Sequence, residues 1–450
     1  MTRVLVIGSG AREHAIAHEL CNSGASVSCF ASNLNPGIMA LADNLEIGDL
    51  NSPDRVIEYA AQQRIDLAVI GPEAPLAAGV ADALRMESIP TVGPGHKLAQ
   101  IETSKAFARN LLTRNGIPGC PRYRTFDTLD GVADWLGELG DGYVVKYDGL
   151  AGGKGVKVAG DHLHSHAEAL DYCCELVAKS GCFVVEEKLI GEEFSLMSFC
   201  DGDTLQHMPA VQDHKRALEG DRGPNTGGMG SYSDATYTLP FLEHEDIKAA
   251  RAINETTAAA LHEECGAPYR GFLYGGFIAT TNGPKLIEYN ARLGDPEALN
   301  VLEILQSDFV AICHGMATGT LASCDVEFRP AATVCKYIVP EGYGAKPRRD
   351  CTLIIDEEQL AASGASLYYA AVNQSSDGVL ETTSSRAVAV VGSGITIAVA
   401  DARCEAGLAA VSGRGLHVRH DIATPQLLEQ RVAHMRGLRS SHKAPAVMVA

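Results

Sequence analysis

Nowhere among the 450 residues does an uninterrupted apolar run approach the roughly 18–20 that a membrane span needs, so no membrane partner is expected. The opening MTRVLVIGSG enters a strand directly, with no basic region ahead of a cleavable apolar segment; no secretory signal is read and a cytoplasmic location is expected. Positive charge is scarce: 37 Lys and Arg stand against 56 Asp and Glu, a net −19. Nonspecific nucleic-acid binding needs a basic face and is set aside, whereas anionic small substrates stay open because they sense the local field of a cleft. None of the thirteen cysteines forms a C-x-x-C pair, and no histidine spacing completes a zinc pattern. Reduced, mostly buried thiols are expected. Internal repeats and low-complexity segments are absent too.

What is present is globular: 46% hydrophobic and 21% charged, long enough for about three domains at roughly 150 residues each. Residues 1–103 alternate strand and helix signals. An apolar run at 4–7 meets Gly8-Ser9-Gly10 and a helical stretch to 20; a strand at 65–70 ends at Gly71-Pro72-Glu73, before Leu76, Val80, Ala83 and Leu84 recur at helical spacing. This order predicts a doubly wound parallel sheet with turns 8–10 and 71–75 on one ligand-binding rim. The dinucleotide fingerprint fails because Glu13 holds the position of its third glycine, which leaves a phosphate monoester at a helix N-terminus as the reading. Residues 104–330 form a central unit, 331–430 a strand-rich domain with a helix at 401–411, and 431–450 a polar tail. The class is therefore mixed, α/β and α+β.

Residues 144–158, VVKYDGLAGGKGVKV, carry the most chemistry. Lys146 and Lys154 bracket a glycine-rich turn between β-branched runs, predicting a hairpin whose backbone N–H and ammonium groups converge on a polyphosphate. The common phosphate loop G-x-x-x-x-G-K-[ST] is missing, since Gly155 follows Lys154. In LIEYNARLGDPE (286–297), strand alternation puts Glu288 and Asn290 on one face with Tyr289 on the other. Two hard ligands on one strand suit Mg²⁺; the plainer reading is a solvated strand end. QDHKR (212–216) followed by GPNTGGMG (223–230) makes an anion cradle, or else merely a solvated charge run. His14 and His214 are weighed as acid–base groups and read as structural. No nucleophile order stands out, and phosphoryl transfer needs none.

Together these motifs resemble the phosphoribosylamine–glycine ligase family (glycinamide ribonucleotide synthetases) of the ATP-grasp superfamily. VLVIGSGAREHA (4–15), IGPEAPLAAGV (70–80), KYDGLAGGKGV (146–156), QDHKR, GPNTGGMG, GFLYGG (271–276) and IEYNARLGDPE carry the likeness over roughly the first 300 residues, and KYIVPEGYGAKP (336–347) looks like archaeal versions. The resemblance implies a central two-lobed ATP-grasp domain at 104–330, with a small lid lobe at about 125–190. It implies ligation of glycine to phosphoribosylamine with ATP, with Mg²⁺ or Mn²⁺. It assigns Lys105, Lys146 and Lys154 to the phosphates, Glu186, Glu187 and Leu189 to the adenine hinge, Glu192 to the ribose, and Glu288 with Asn290 to the metal. Gly8, Gly10, Glu73, Asp213, Lys215, Asn225, Arg292 and Asp295 would surround phosphoribosylamine and glycine, with Lys154, Arg292 and Asp295 catalytic. Because FLYGGFIA offers Glu288 no acidic partner, a sparse protein shell for the metal is expected. Monomer and dimer both remain open. The rivals are another ATP-grasp carboxylate–amine ligase or a biotin-carboxylase-like enzyme, a nucleotide sensor without catalysis, and a nicotinamide dehydrogenase.

Overall fold

The apolar run near the N-terminus becomes the strand Arg3–Ile7, whose residues 4–7 are wholly buried as the centre of a parallel sheet. The sheet runs in the order Asn44–Ile47, Ser26–Ala31, Arg3–Ile7, Leu67–Ile70, Thr91–Val92. Strand order reverses between Arg3–Ile7 and Leu67–Ile70, so the carboxyl ends Ile7 and Ile70, paired in register, open the crevice where such sheets bind ligands. This computed structural model describes residues 1–151, 155–349, 351–374 and 379–443.

A four-stranded antiparallel sheet follows, ordered Tyr123–Phe126, Phe183–Glu187, Tyr143–Tyr147, Val156–Val158, and backed by the helices Val132–Leu139 and His166–Ser180. Its core is separate from the main one and centres on Trp135, Leu136, Tyr143, Val145 and Phe183. The hairpin predicted at 144–158 is present as Tyr143–Tyr147 paired with Val156–Val158; Lys154 lies outside the described residues. The larger lobe is built on Glu192–Cys200, Gly271–Thr280 and Gly283–Asn290, all antiparallel, with the helix His244–Cys265 packed against them.

The polar motifs at 212–230 fold as part of the C-terminal sheet. Gln212–Asp213 pairs with Gly230–Ser233, which pairs in turn with Ala332–Pro340, Val388–Gly394 and Ser366–Tyr369 beyond. Between them the hairpin Arg216–Leu218 and Arg222–Asn225 projects alone. Of the segment expected as a polar tail, residues 431–443 are the last part of the helix Pro425–Lys443, which buries Leu427 and Met435; the rest lies outside the described residues. No helix among the described residues is long and apolar enough to cross a membrane.

Candidate active site

Glu288 and Asn290 share a face of the strand Gly283–Asn290, while Tyr289 sinks beneath it and donates to Thr257 Oγ1 at 2.9 Å. Lys215 reaches over from the QDHKR segment, its Nζ 3.7 Å from Glu288 Oε1 and 3.8 Å from Glu193 Oε2. Burial opposes ionisation of Glu288, but Lys215, Lys105 and Lys146 overcome it and hold the carboxyl down at about 2. The same carboxylates raise Lys215 well above an ordinary lysine despite its burial. Each such pair at about 4 Å is worth roughly 4 kcal/mol of Coulomb energy at an effective dielectric near 20.

Arg292 joins this strand to the N-terminal sheet. Its Nη2 donates to Asn290 Oδ1 at 3.1 Å and lies 3.1 Å from Glu102 Oε1, and its Nε stands 3.4 Å from Glu73 Oε2. Burial works against charge on Glu73, yet Arg292 and Arg12 bring its carboxyl below the usual range. Gly8 packs against Pro72, the residue before Glu73. Gly8, at φ +125°, has no room for a Cβ, which would meet Glu13 Cγ at 2.6 Å. The Glu13 carboxylate accepts the Gly10 N–H at 2.7 Å, so this helix N-terminus is already capped by its own side chain. His14, one residue on, is buried against Tyr368 and Tyr369 and accepts the Tyr369 N–H on Nδ1 at 3.0 Å. Burial pushes it down to about 3, so the ring is neutral and structural. His214 is likewise buried and held at about 3.

Two further carboxylates, Asp213 and Glu297, line the same pocket as Lys215. Asp213 Oδ1 is buried with no hydrogen-bond partner among the described residues, and burial with the nearby Glu297 pushes its carboxyl up. Glu297, almost wholly buried, accepts the Tyr274 hydroxyl at 2.8 Å. Gly228, at φ +110°, makes room for Asp213, whose Oδ1 would touch a Cβ there at 2.7 Å. Asp295 is gripped from the C-terminal domain: Tyr337 donates to its Oδ1 at 2.5 Å, and Arg386 lies 3.0 Å from its Oδ2. Arg386 also donates to Gly227 O at 2.7 Å, tying down the GPNTGGMG loop. Asn225 pairs with Arg216 in the projecting hairpin, half-buried beside the Thr226 N–H bond to Lys215 O at 2.7 Å.

Where the four-stranded sheet meets the larger lobe lies a buried charge network. Lys146 contacts Glu186 and donates to Ile287 O at 3.0 Å, and Arg109 donates to Glu186 Oε2 at 2.8 Å. Burial alone would raise Glu186, but Arg109 and Lys146 lower it. Lys105 donates to Gly149 O at 3.1 Å, joining the helix Lys105–Arg114 to the end of the hairpin strand Tyr143–Tyr147. Glu187 turns outward, where its Oε1 accepts the Arg122 N–H at 2.9 Å, and Leu189 lies half-buried in the link before Glu192.

Glu192, expected at the ribose, is not in the cleft. It is buried on the opposite face of the strand, where His434 Nδ1 lies 2.6 Å from its Oε1 and Arg431 Nε 3.4 Å from its Oε2. Strand alternation puts Glu193 into the cleft instead, with Lys215, Asp213, Tyr274, Glu288 and Glu297. Sequence reasoning also missed Glu297, Tyr274 and Arg386. The first two stand inside quoted motifs, whereas no motif surrounds Arg386. Glu288 and Asn290 offer hard oxygen donors two residues apart on one strand, and that donor set fits a hard divalent cation. Among the described residues no group of three His, Cys, Asp or Glu side chains is arranged to hold a metal ion.

Comparison with known proteins gives a consistent result. Models of the phosphoribosylglycinamide synthetase N domain, ATP-grasp (A) domain and C domain match residues 2–102, 103–298 and 333–425. The chain is 48% identical over 439 residues to a phosphoribosylamine–glycine ligase of Methanosarcina barkeri, covering 97% of this chain and 100% of the relative. The Methanocaldococcus jannaschii ligase is 46% identical over 445 residues, at 97% and 100% coverage. The crystal structure of the Thermotoga maritima phosphoribosylamine–glycine ligase superposes with a TM-score of 0.79 at 29% identity, covering 93% and 100% of the two chains. A Campylobacter jejuni biotin carboxylase in a beta-gamma-ATP complex superposes with a TM-score of 0.73 at 14% identity, covering 97% and 98%, a likeness of fold alone.

Proposed function

The chain belongs to the phosphoribosylglycinamide synthetase family and is an ATP-dependent ligase of purine biosynthesis that joins glycine to phosphoribosylamine; we propose that it does so through glycyl phosphate, in the cleft centred on Lys215. A free carboxylate has too poor a leaving group to acylate an amine at neutral pH. The glycine carboxylate oxygen therefore attacks the γ-phosphorus of ATP, the bond to the ADP oxygen breaks, and ADP leaves. The phosphoribosylamine nitrogen then adds to the acyl carbon, and phosphate departs with the electrons of the C–O bond. The domain division for this reading is 1–103, 104–330 with its lid at about 125–190, and 331–430.

Lys105, Lys146 and Lys154 are assigned to the ATP phosphates, Glu186, Glu187 and Leu189 to the adenine link, and Glu193, in place of Glu192, to the ribose. Glu288 and Asn290 would hold Mg²⁺ or Mn²⁺, which when bound would neutralise phosphate charge. Asp213, whose Oδ1 has no hydrogen-bond partner among the described residues, and Glu297 take the glycine ammonium group, leaving Lys215 for its carboxylate. Glu73, with Gly8, Gly10 and Asn225, lines the phosphoribosylamine. Arg292 faces the departing phosphate, and Asp295 takes a proton from the incoming nitrogen. Alignment of the two reactants could supply ~7–11 kcal/mol of the barrier reduction. The acyl phosphate is open to hydrolysis, so the lid is assigned to water exclusion.

One observation carries this reading. Arg292 alone spans from Asn290 on the nucleotide side, at 3.1 Å, to Glu73 on the N-terminal rim, at 3.4 Å, so both half-sites lie within one side chain's reach. The test is ADP release with glycine, ATP, Mg²⁺ and freshly made phosphoribosylamine, each omitted in turn. ADP that forms without glycine dependence would refute the reading. Asp213→Asn should raise the glycine KM about 10-fold or more, the loss expected of one charge-assisted bond, while leaving the ATP KM nearly unchanged. Equal rises in both would misplace the ammonium pocket.

A further inference from the structure

The helix Pro425–Lys443 begins where the C-domain match ends, at residue 425, and none of the chemistry above uses it. It nevertheless grips both walls of the cleft from outside. Arg431 contacts Asp221 through one Nη and lies 3.4 Å from Glu192 Oε2 through Nε. His434, one turn on, donates from Nδ1 to Glu192 Oε1 at 2.6 Å.

The positions of those two carboxylates matter. Glu192 opens a strand whose next residue, Glu193, faces the cleft. Asp221 lies at the tip of the hairpin Arg216–Leu218 and Arg222–Asn225, which Lys215 immediately precedes. Inside the cleft these two segments meet again, with Lys215 Nζ 3.8 Å from Glu193 Oε2. The same pair of segments is thus tied twice, by Lys215 within and by Arg431 without. The outer tie is firm. Arg419, wholly buried, donates to Asp221 Oδ1 at 2.8 Å and to Arg216 O at 3.1 Å, and the Gly220 N–H donates to Asp421 at 2.9 Å. Glu192 is itself buried, so losing either partner leaves a carboxylate out of water with half its support.

We infer that the C-terminal helix is a positioning element of the active site: Arg431 and His434 pin Glu192 to the outer face, so that Glu193 and Lys215 meet across the cleft at working distance. This rests on the assignment of Glu193 to the nucleotide and Lys215 to glycine made above. Arg439, on the same helix, serves as a control. It pairs with Asp246 at 2.5 Å and Glu243 at 3.3 Å, at the start of the helix His244–Cys265, and so holds the helix down without touching either wall.

The experiment compares steady-state ADP release by the unsubstituted chain and by Arg431→Gln, Arg431→Lys, His434→Ala and Arg439→Gln, alongside their thermal midpoints. Arg431→Gln should raise the ATP and glycine KM values together, each about 5–10-fold, as a small misplacement of binding groups does, with Arg431→Lys recovering part of the loss. His434→Ala, which removes the contact to Glu192 and leaves Asp221 held by Arg431, should raise the ATP KM alone. Arg439→Gln should lower the thermal midpoint and keep both KM values. Unchanged KM values in Arg431→Gln, or an equal rise in Arg439→Gln, overturn the inference. If Arg431→Gln does not fold, the half-exposed His434 decides: a raised ATP KM in His434→Ala upholds the inference, and an unchanged one overturns it. Loss of glycine-dependent ADP release in the unsubstituted chain is a different result, refuting the functional reading before any variant is compared.

Discussion

At the scale of single residues, one step along an extended strand turns a side chain to the other face, and Glu192 and Glu193 part company on that step. The acidic pair was visible in the sequence, but its parity was not. Gly191 precedes it at φ +159°, pressed so close to Ala279 O that a Cβ would stand 1.7 Å away. Glu288 and Asn290 were legible because the strand pairs regularly there, Gly276 opposite Glu288 and Tyr274 opposite Asn290. Glu193→Gln should remove most of the preference for ATP over its 2′,3′-dideoxy analogue. A hydrogen bond to a charged group is worth about 1.5–3 kcal/mol, or roughly 10–100-fold in KM. Glu192→Gln should keep that preference. Competition assays with the two nucleotides decide it, and a Glu192→Gln variant that loses the discrimination would restore the original assignment.

At the scale of elements, the failed dinucleotide fingerprint has a steric account. Glu13 fills the space between the turns at Gly8 and Gly71, where a Cβ on Gly71 would meet its Oε1 at 2.2 Å and its Cγ at 2.4 Å. Gly71→Ala should destabilise the fold by about 1–3 kcal/mol through overpacking. Glu13→Ala in the same chain should relieve much of that. Denaturant titrations of the two singles and the double give the coupling, and strictly additive losses would mean the two do not share that space. The N-terminal alternation of strand and helix was readable because buried parallel strands are continuous apolar runs. The helix Pro425–Lys443 was not, because polar residues that dock it, Arg431, His434 and Arg439, look in a sequence like a solvated tail. His14, read from the sequence as structural, is a packing contact between the first helix and a C-terminal strand.

At the scale of the molecule, the chain order conceals how the site is assembled. QDHKR and GPNTGGMG lie in the middle of the sequence, yet they join the C-terminal sheet through Gly230–Ser233 and Ala332–Pro340. Register pairing over such a separation has no local signature, so the expected strand-rich domain at 331–430 gave no hint that it borrows strands from 212–233. Arg386 then reaches from that sheet to Asp295 and Gly227. The lid stands apart energetically, with a core of its own around Trp135. Trp135 is the chain's single tryptophan. Its indole N–H donates to Val185 O at 3.0 Å, next to Glu186, and Arg124 lies 4.3 Å over its ring. The protein therefore carries a built-in optical reporter in the lobe proposed as the lid. Its emission should respond to ATP and not to glycine, and in denaturant it should fade ahead of the far-ultraviolet dichroism of the main body. Superimposed transitions would mean that lid and body melt as one.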